Sequence, residues 1–155
     1  MRLNIVLANP LIPQNTGNIA RTCAATGAAL HLIKPMGFEL DDSKMKRSGL
    51  DYWDKLSVTV HESFADFFEN TRNTGEYHLF ETTPTCNYCD VAYSDNAYLI
   101  FGQETKGLPD DVLAQYADCG VKIPMRRGLR SLNLSNCVAV AVYEVLRQWQ
   151  FPELS

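Results

Sequence analysis

Short apolar runs alternate with helix-like stretches along this chain, and this alternation restricts the fold more than any other feature of the sequence. The apolar runs are rich in branched residues and have the length of strands that are buried on both faces. They lie at residues 3–8, 30–33, 57–60, 77–80, 97–101 and 119–123. The intervening helices are predicted at about 16–27, 43–49, 62–69 and 109–116. This alternation predicts an α/β fold, with a mainly parallel sheet flanked by helices.

The last helix is predicted to begin near Leu132 and has the clearest periodicity in the chain. Its apolar residues recur at helical spacing, and Pro152 follows its end. They are Leu134, Val138, Ala141, Val142, Val145, Leu146 and Trp149. The stripe indicates packing against the core. The alternative interpretation of the stripe is a dimer interface, because the stripe ends near Trp149 and Phe151.

Length and charge limit the classes of protein to which the chain can belong. With 155 residues, 46% of them hydrophobic, we expect one domain spanning residues 1–155. The formal net charge of -4 excludes a strongly basic surface, so any contact with a nucleic acid must use a local patch. No apolar stretch approaches the roughly 20 residues that span a bilayer, and the N-terminus runs directly into a strand-like segment. These features predict a cytoplasmic protein without a membrane segment.

The cysteines and histidines give little indication of a metal site. The five cysteines are an odd number and are scattered, which predicts reduced thiols. Cys86 and Cys89 form an isolated C-x-x-C pair, for which an incidental loop pair is favoured over zinc or redox chemistry. None of His31, His61 and His78 has a partner at ligand spacing. We therefore predict that no metal is bound.

Three polar segments carry the candidate chemistry, and the first covers residues 9–21. It follows a strand and opens a helix that Asn15 or Thr16 can cap, while Gly17 permits close approach of the backbone. Arg21 lies about one turn inside the helix and could offer its guanidinium to a phosphate or a hydroxyl. An arginine near a helix start is also an ordinary solvated residue, so the spacing leaves both interpretations open.

The second segment, residues 100–109, follows a strand and carries Gly102 and Gly107 before a helix that starts with proline. Such a loop presents backbone donors and acceptors to a ligand. It lacks both the G-x-G-x-x-G pattern of dinucleotide folds and the G-K-[ST] ending of a P-loop. Neither nucleotide fingerprint applies, and an ordinary turn is as compatible with the pattern as a ligand loop.

The third segment, residues 121–136, is an arginine-rich loop that leads into the last helix. Arg126, Arg127 and Arg130 concentrate positive charge in an acidic chain, which suits contact with phosphate but also describes a solvated basic loop. Three polar side chains at the start of the helix can cap it or hydrogen-bond a ligand. They are Ser131, Asn133 and Ser135.

Together, the three segments resemble the three motifs of SPOUT RNA methyltransferases, in the same order. The matching stretches are residues 15–21, 101–108 and 123–135. Over nearly its full length the chain is similar to the minimal single-domain tRNA (cytidine/uridine) wobble 2'-O-methyltransferases, and residues 36–38 and 47–52 also look like that subfamily. The resemblance implies S-adenosyl-L-methionine as cofactor, the tRNA anticodon stem-loop as substrate and a homodimer. It also implies a deep C-terminal trefoil knot, a rare exception to unknotted chains.

The resemblance also implies roles for individual positions. Arg21 would act on the ribose hydroxyl as the catalytic residue, either accepting its proton or positioning it. The cofactor would be held, largely through backbone groups, by Glu81, Thr82, Gly102, Ile123, Ser131 and Leu132. The substrate would be contacted by Asn15, Glu104, Arg126, Arg130, Asn133 and Tyr143. For Tyr143, a packed or partly exposed helix tyrosine is an equally good interpretation.

Two other functions stay open. One is a SPOUT methyltransferase that acts on another RNA site, such as rRNA, and the other is a non-catalytic RNA-binding α/β module. For a methyltransferase on either RNA we expect no appended RNA-binding module, and we therefore expect basic residues on the dimer surface to hold the RNA. These are Lys44, Lys46 and Arg47, together with Arg126, Arg127 and Arg130.

Overall fold

The fold is built on one parallel sheet. A computed structural model describes residues 1–40 and 55–155, and within these residues the sheet has six strands. They are β1 (Arg2–Ala8), β2 (Ala29–Ile33), β3 (Val58–His61), β4 (Glu76–Phe80), β5 (Asn96–Phe101) and β6 (Gly120–Val121). Their order is β3-β2-β1-β5-β4-β6, and every neighbouring pair is parallel. The predicted parallel α/β sheet is confirmed.

Helices cover both faces of the sheet. They are α1 (Pro13–Thr26), α2 (Phe64–Asn70), α3 (Asp110–Gln115) and α4 (Leu134–Gln148). One apolar cluster joins α1 and α4 to one face, and a second joins α2 and α3 to the other. Since both faces are covered, the central strands are buried almost throughout, which explains their continuous apolar runs. The helix predicted at 43–49 lies outside the described residues.

The start of α1 differs from the prediction. The helix begins at Pro13, with Ile12 in the N-cap position and no side-chain cap from that residue. Asn15 and Thr16 lie inside the first turns and are buried, so the prediction that they cap the helix is wrong. Proline suits the first helical position because its fixed φ is already helical and its missing N–H would have no partner there. A Cβ on Gly17 would meet no atom within 4 Å, so close backbone approach does not explain this glycine among the described residues.

Helix α4 confirms the core interpretation of the last apolar stripe. Asn133 caps the helix, because its side-chain oxygen accepts a hydrogen bond from the Ser135 N–H at 2.9 Å. Trp149 is 9% exposed, and its indole N–H donates to the Tyr93 carbonyl at 3.2 Å. Trp149 therefore packs inside its own chain. The exposed apolar side chains on α4 are instead Val140 and Tyr143, at 39% and 51%.

The last strand is shorter than predicted. The sequence predicts an extended stretch at residues 119–123, but β6 contains just Gly120–Val121 and follows a 3-10 turn at Ala117–Cys119. Beyond β6, Lys122 pairs with the loop that follows β4, where its N–H donates to the Cys86 carbonyl at 3.0 Å. The parallel pairing therefore continues for one residue past β6, against a loop instead of a strand.

A disulfide, a metal site and a membrane-spanning helix each require particular features of the described residues. All five cysteines carry free thiols, and the C-x-x-C pair Cys86 and Cys89 is exposed. Within residues 1–40 and 55–155, no group of three or more histidine, cysteine or acidic side chains is arranged to hold a metal ion. In the same residues, no helix has both the length and the apolar character needed to cross a bilayer.

Two histidines form a buried pair between the sheet and α2. His31 Nδ1 lies 3.0 Å from His61 Nε2, and His31 Nε2 lies 3.4 Å from the Asn4 side-chain oxygen. Burial lowers the pKa of His31 to about 4, and the positive charges of His61 and Arg2 act in the same direction. Burial also lowers the pKa of His61, although Asp66, 3.6 Å from its Nδ1, opposes the shift. The pair is therefore neutral at pH 7.

This pair predicts a loss of stability in mild acid. Above about pH 6.5 His31 is neutral in both the folded and the unfolded chain, but below that pH the unfolded chain binds a proton that the folded chain resists until about pH 4. His31 alone should lower the free energy of unfolding by about 2 kcal/mol between pH 7.5 and pH 5. Urea unfolding at several pH values in this range measures how steeply the free energy of unfolding falls with pH. The fall should be shallower in His31→Asn than in the wild-type protein. An equal slope in both proteins would contradict the prediction.

Candidate active site

A pocket of about 670 Å³ opens at the carboxyl ends of the strands. Its walls come from the residues that follow β4, β5 and β6 and from the start of α1. Open α/β sheets bind ligands at this edge, because the loops there diverge and leave a crevice. The three polar segments predicted to carry the chemistry all contribute to this pocket.

The loop after β5 doubles back on itself and depends on two glycines. The N–H and carbonyl groups of Gln103 and Gly107 form reciprocal hydrogen bonds of 3.1 and 2.9 Å. A Cβ on Gly102 would lie 2.1 Å from the carbonyl carbon of Gly107, so no side chain fits there. Gly107 has a φ of +70°, in the region that favours glycine. These two residues allow the loop to turn tightly beside the pocket.

Glu104, at the tip of this loop, caps α1 from a distant part of the chain. Its carboxylate accepts hydrogen bonds from the N–H groups of Leu11 and Ile12, at 2.9 and 3.1 Å, and from the Asn15 side-chain amide at 3.3 Å. Partial burial raises the pKa of Glu104, but these bonds and one from its own N–H lower it, and the net pKa is below the usual value. These two N–H groups belong to the residues directly before Pro13, so Glu104 fixes the segment that leads into α1, and its negative charge also lies favourably near the positive end of the helix dipole.

Asn15 and Asn133 connect the first and third segments. The Asn133 amide donates to the Asn15 side-chain oxygen at 3.1 Å, and the Asn133 oxygen accepts from the Ser135 hydroxyl at 2.6 Å. Since Asn15 also donates to Glu104, a continuous hydrogen-bonded chain runs from Glu104 through Asn15 and Asn133 to Ser135. This chain holds the three segments in one fixed arrangement.

Glu81, directly after β4, holds the far end of the glycine loop. Its Oε1 accepts a hydrogen bond from the Leu108 N–H at 2.8 Å, and its own N–H donates to the Val121 carbonyl at 3.0 Å. The sequence suggested a contribution mainly through the Glu81 backbone. The structure shows that the side chain has a role of its own in shaping the pocket.

The structure brings most of the predicted site residues together. All six residues assigned to the cofactor line the pocket: Glu81, Thr82, Gly102, Ile123, Ser131 and Leu132. Four residues assigned to the substrate also line it: Asn15, Glu104, Arg130 and Asn133. Arg21, Arg126 and Tyr143 are exposed and do not line the pocket. Arg21 does take part in an interaction within the chain.

Some pocket residues were not predicted from the sequence, among them two phenylalanines and a cysteine. Phe80 and Phe101, the last residues of β4 and β5, stack with ring centroids 4.6 Å apart and form part of the wall. Cys137 also lines the pocket, and burial raises the pKa of its thiol, which keeps it protonated. The sequence could have identified both phenylalanines as pocket residues, because each one ends a strand and directly precedes a residue that was already assigned to the site.

The fold and this pocket define an α/β protein that binds its ligand at the carboxyl edge of a parallel sheet. A model of the SpoU rRNA methylase family matches residues 2–143. The tRNA (cytidine(34)-2'-O)-methyltransferase of Escherichia coli (strain K12) is 48% identical, over 97% of this chain and 96% of that protein. The chain belongs to the SpoU methylase family, part of the SPOUT superfamily, as its three motifs predicted.

Two solved structures extend the comparison to three dimensions. One, from a study of 2-OH methylation of C/U34 on tRNA, is 44% identical, covers 96% of this chain and 97% of that chain, and has a TM-score of 0.89. The other is the SpoU methyltransferase AviRb from Streptomyces viridochromogenes in complex with AdoMet. It is 27% identical, with a TM-score of 0.81 over 96% of this chain and 58% of that chain.

The tight turn at Gly102 predicts a strong effect of a single methyl group. In Gly102→Ala the new Cβ would meet the Gly107 backbone, so the loop must move, and we expect the free energy of unfolding to fall by about 1–3 kcal/mol. Urea unfolding measures this loss. Gly17→Ala is the matched control, because its Cβ would meet no described atom within 4 Å and alanine favours a helix. Equal losses in the two variants would contradict the packing argument.

Proposed function

We propose that this chain is an S-adenosyl-L-methionine-dependent tRNA methyltransferase. Its substrate is the ribose 2'-hydroxyl of the wobble nucleotide, a cytidine or a modified uridine in the first anticodon position. The observation that carries the proposal is the hydrogen-bonded chain from Glu104 through Asn15 to Asn133, because it assembles all three motif segments around one pocket. The high identity and coverage of the E. coli tRNA methyltransferase support the same substrate.

The pocket residues fit the proposed cofactor. The volume of about 670 Å³ lies within the range of cofactor sites, and the wall combines apolar side chains with loop backbone. Gly102 allows the loop after β5 to turn tightly beside the pocket, Ile123 and Leu132 offer apolar surface, and Ser131 offers a hydroxyl. When bound, the cofactor supplies an electrophilic methyl group on a sulfonium. The enzyme contributes alignment and exclusion of water.

Arg21 acts on the ribose hydroxyl by position and charge. A guanidinium stays protonated in proteins, so it is a poor base by itself. It can hold a phosphate and the hydroxyl together, and a substrate phosphate can then assist removal of the proton. Arg21 is exposed on α1 and does not line the pocket of its own chain. A site that uses it must therefore be completed by further surface, from the RNA or from a second copy.

A homodimer supplies such a surface. Helices α1 and α4 lie side by side on one face of the sheet, and the exposed side of α4 presents Val140 and Tyr143 to solvent. Apolar and aromatic side chains on an exposed helix face are typical of protein interfaces. Tyr143 then lies where two subunits and the substrate meet. Arg126 and Arg130, exposed in the loop before α4, contact the tRNA backbone.

The topology and setting of the enzyme follow from the same family. The C-terminal part of the sheet, from β5 through β6 to α4, is tied in the deep trefoil knot of SPOUT proteins, with the cofactor pocket formed in the knot. Residues 1–155 act as one domain in the cytoplasm, where tRNA is modified. The high TM-score to the protein studied for C/U34 methylation supports this arrangement.

A second candidate function is methylation of rRNA. The family model that matches the chain is described as an rRNA methylase family, and AviRb belongs to the same family. The two candidates use the same cofactor pocket and differ in the RNA that is bound. The identity of the methylated nucleotide therefore separates them.

The proposed reaction predicts a specific labelled product. Purified protein, undermodified bulk tRNA and methyl-labelled S-adenosylmethionine should give a 2'-O-methyl nucleoside from the wobble position, identified by digestion and mass spectrometry. Arg21→Ala should lower the rate by at least about 100-fold, since positioning and proton removal are typically worth this much. Its affinity for the cofactor should not change, because Arg21 does not line the pocket. Label on a base would contradict the proposal, and so would an unlabelled tRNA when rRNA in a parallel reaction becomes labelled.

The basic loop before α4 predicts salt-dependent binding of tRNA. Reversing Arg126 and Arg130 to glutamate should weaken binding at least about tenfold at low salt and reduce the slope of log affinity against log salt, because phosphate contacts release counterions. Arg72→Glu is the control, since Arg72 is exposed and lies outside this loop. Filter binding over a range of salt concentrations provides the measurement. Unchanged affinity and slope would show that this loop does not hold the RNA.

The other basic residues that the sequence predicts to hold RNA are Lys44, Lys46 and Arg47, and they lie outside the described residues.

A further inference from the structure

The pocket contains charged side chains of both signs, but they lie at different depths. Lys106 and Arg130 are exposed to solvent, whereas Glu81 and Glu104 are half-buried. Solvent and salt screen an exposed charge much more than a half-buried one. The interior of the pocket is therefore affected more by the two carboxylates than by the two cations.

The charge of Glu104 is already compensated by the protein. Both of its oxygens accept hydrogen bonds, from the N–H groups of Leu11 and Ile12 and from the Asn15 amide. These donors lie at the start of α1, which carries a partial positive charge. The Glu104 carboxylate keeps its charge, but its oxygens are engaged by these donors, so it is less available than an unbonded carboxylate oxygen to contact a ligand.

The charge of Glu81 is compensated to a smaller extent. Its Oε1 accepts one hydrogen bond, from the Leu108 N–H, and its Oε2 accepts none from the described residues and stays accessible. Gly107 lets the carboxylate approach the loop, because a Cβ there would lie 3.0 Å from Oε1 and 3.4 Å from Oε2. The loop thus fixes one oxygen and leaves the other at the pocket wall. A cationic ligand would find an anchored and largely uncompensated negative charge.

We propose that the Glu81 carboxylate makes the pocket discriminate between the cofactor and its spent form. This inference rests on the proposed function. In methyl transfer the carbon–sulfur bond breaks with its electron pair left on sulfur, a carbon–oxygen bond forms on the ribose, and the hydroxyl proton passes to solvent with the help of a substrate phosphate. The cofactor thereby changes from a sulfonium cation to a neutral thioether. A negative wall attracts the first and not the second, so Glu81 favours uptake of S-adenosylmethionine and release of S-adenosylhomocysteine.

Calorimetric titration with each of the two compounds tests this proposal without any turnover. The quantity of interest is the ratio of their dissociation constants, because all other groups of the two ligands are shared. Glu81→Gln, which keeps a hydrogen-bond acceptor for Leu108, should reduce the preference for S-adenosylmethionine about three- to fivefold, the effect of one partly screened charge pair. Glu81→Asp keeps the charge and should retain most of the preference. Glu69→Gln removes the same charge from an exposed position on α2, and it should leave the ratio of the two dissociation constants unaltered.

The outcomes separate this inference from the proposed function. If the wild-type protein binds both compounds and Glu81→Gln changes both affinities by the same factor, Glu81 is a loop anchor alone and the inference is wrong, while the proposed cofactor stands. If the wild-type protein binds neither compound, the proposed function itself fails and the inference fails with it.

A further measurement needs no variant. The wild-type preference should fall as potassium chloride is raised, and a ratio independent of salt would overturn the inference.

Discussion

The hydrogen bonds from the Glu104 carboxylate to the start of α1 organise the rest of the site. No side chain of the N-cap residue Ile12 fixes the start of this helix. Instead, Glu104 in the loop after β5 binds the N–H groups of Leu11 and Ile12, directly before the helix, and the side chain of Asn15 inside it, so this loop is held against α1. Asn15 in turn positions Asn133 at the start of α4. One carboxylate thus determines where three loops stand around the pocket.

The same interaction explains which part of the structure the sequence could predict. Strand positions and the parallel sheet were evident because burial on both faces produces continuous apolar runs, as in β1 and β5. The start of α1 was misplaced because local rules assign a cap to a nearby polar residue, whereas Glu104 lies 93 positions from Leu11 in the chain. Local patterns carry no information about a partner at that distance.

The candidate site shows a similar division. The motif resemblance selected residues that line one pocket, including Gly102, Ile123 and Ser131. It could not show that Glu81 uses its side chain, because that depends on the distance to the Leu108 N–H in the folded chain. Nor could it show that Trp149 is part of the core, since an apolar stripe on a helix has the same appearance whether it packs inside a subunit or between two subunits.

The bond between Asn15 and Asn133 joins residues 118 positions apart and has a consequence for the time at which the site forms. During synthesis, the first helix leaves the ribosome long before the loop that caps it and the asparagine that completes the network. Contacts between such distant residues are costly in chain entropy and form late. A chain that stops after β6 therefore contains all six described strands but lacks Asn133 and the other pocket residues between positions 130 and 137, so one wall of the pocket is missing until the last helix has been made.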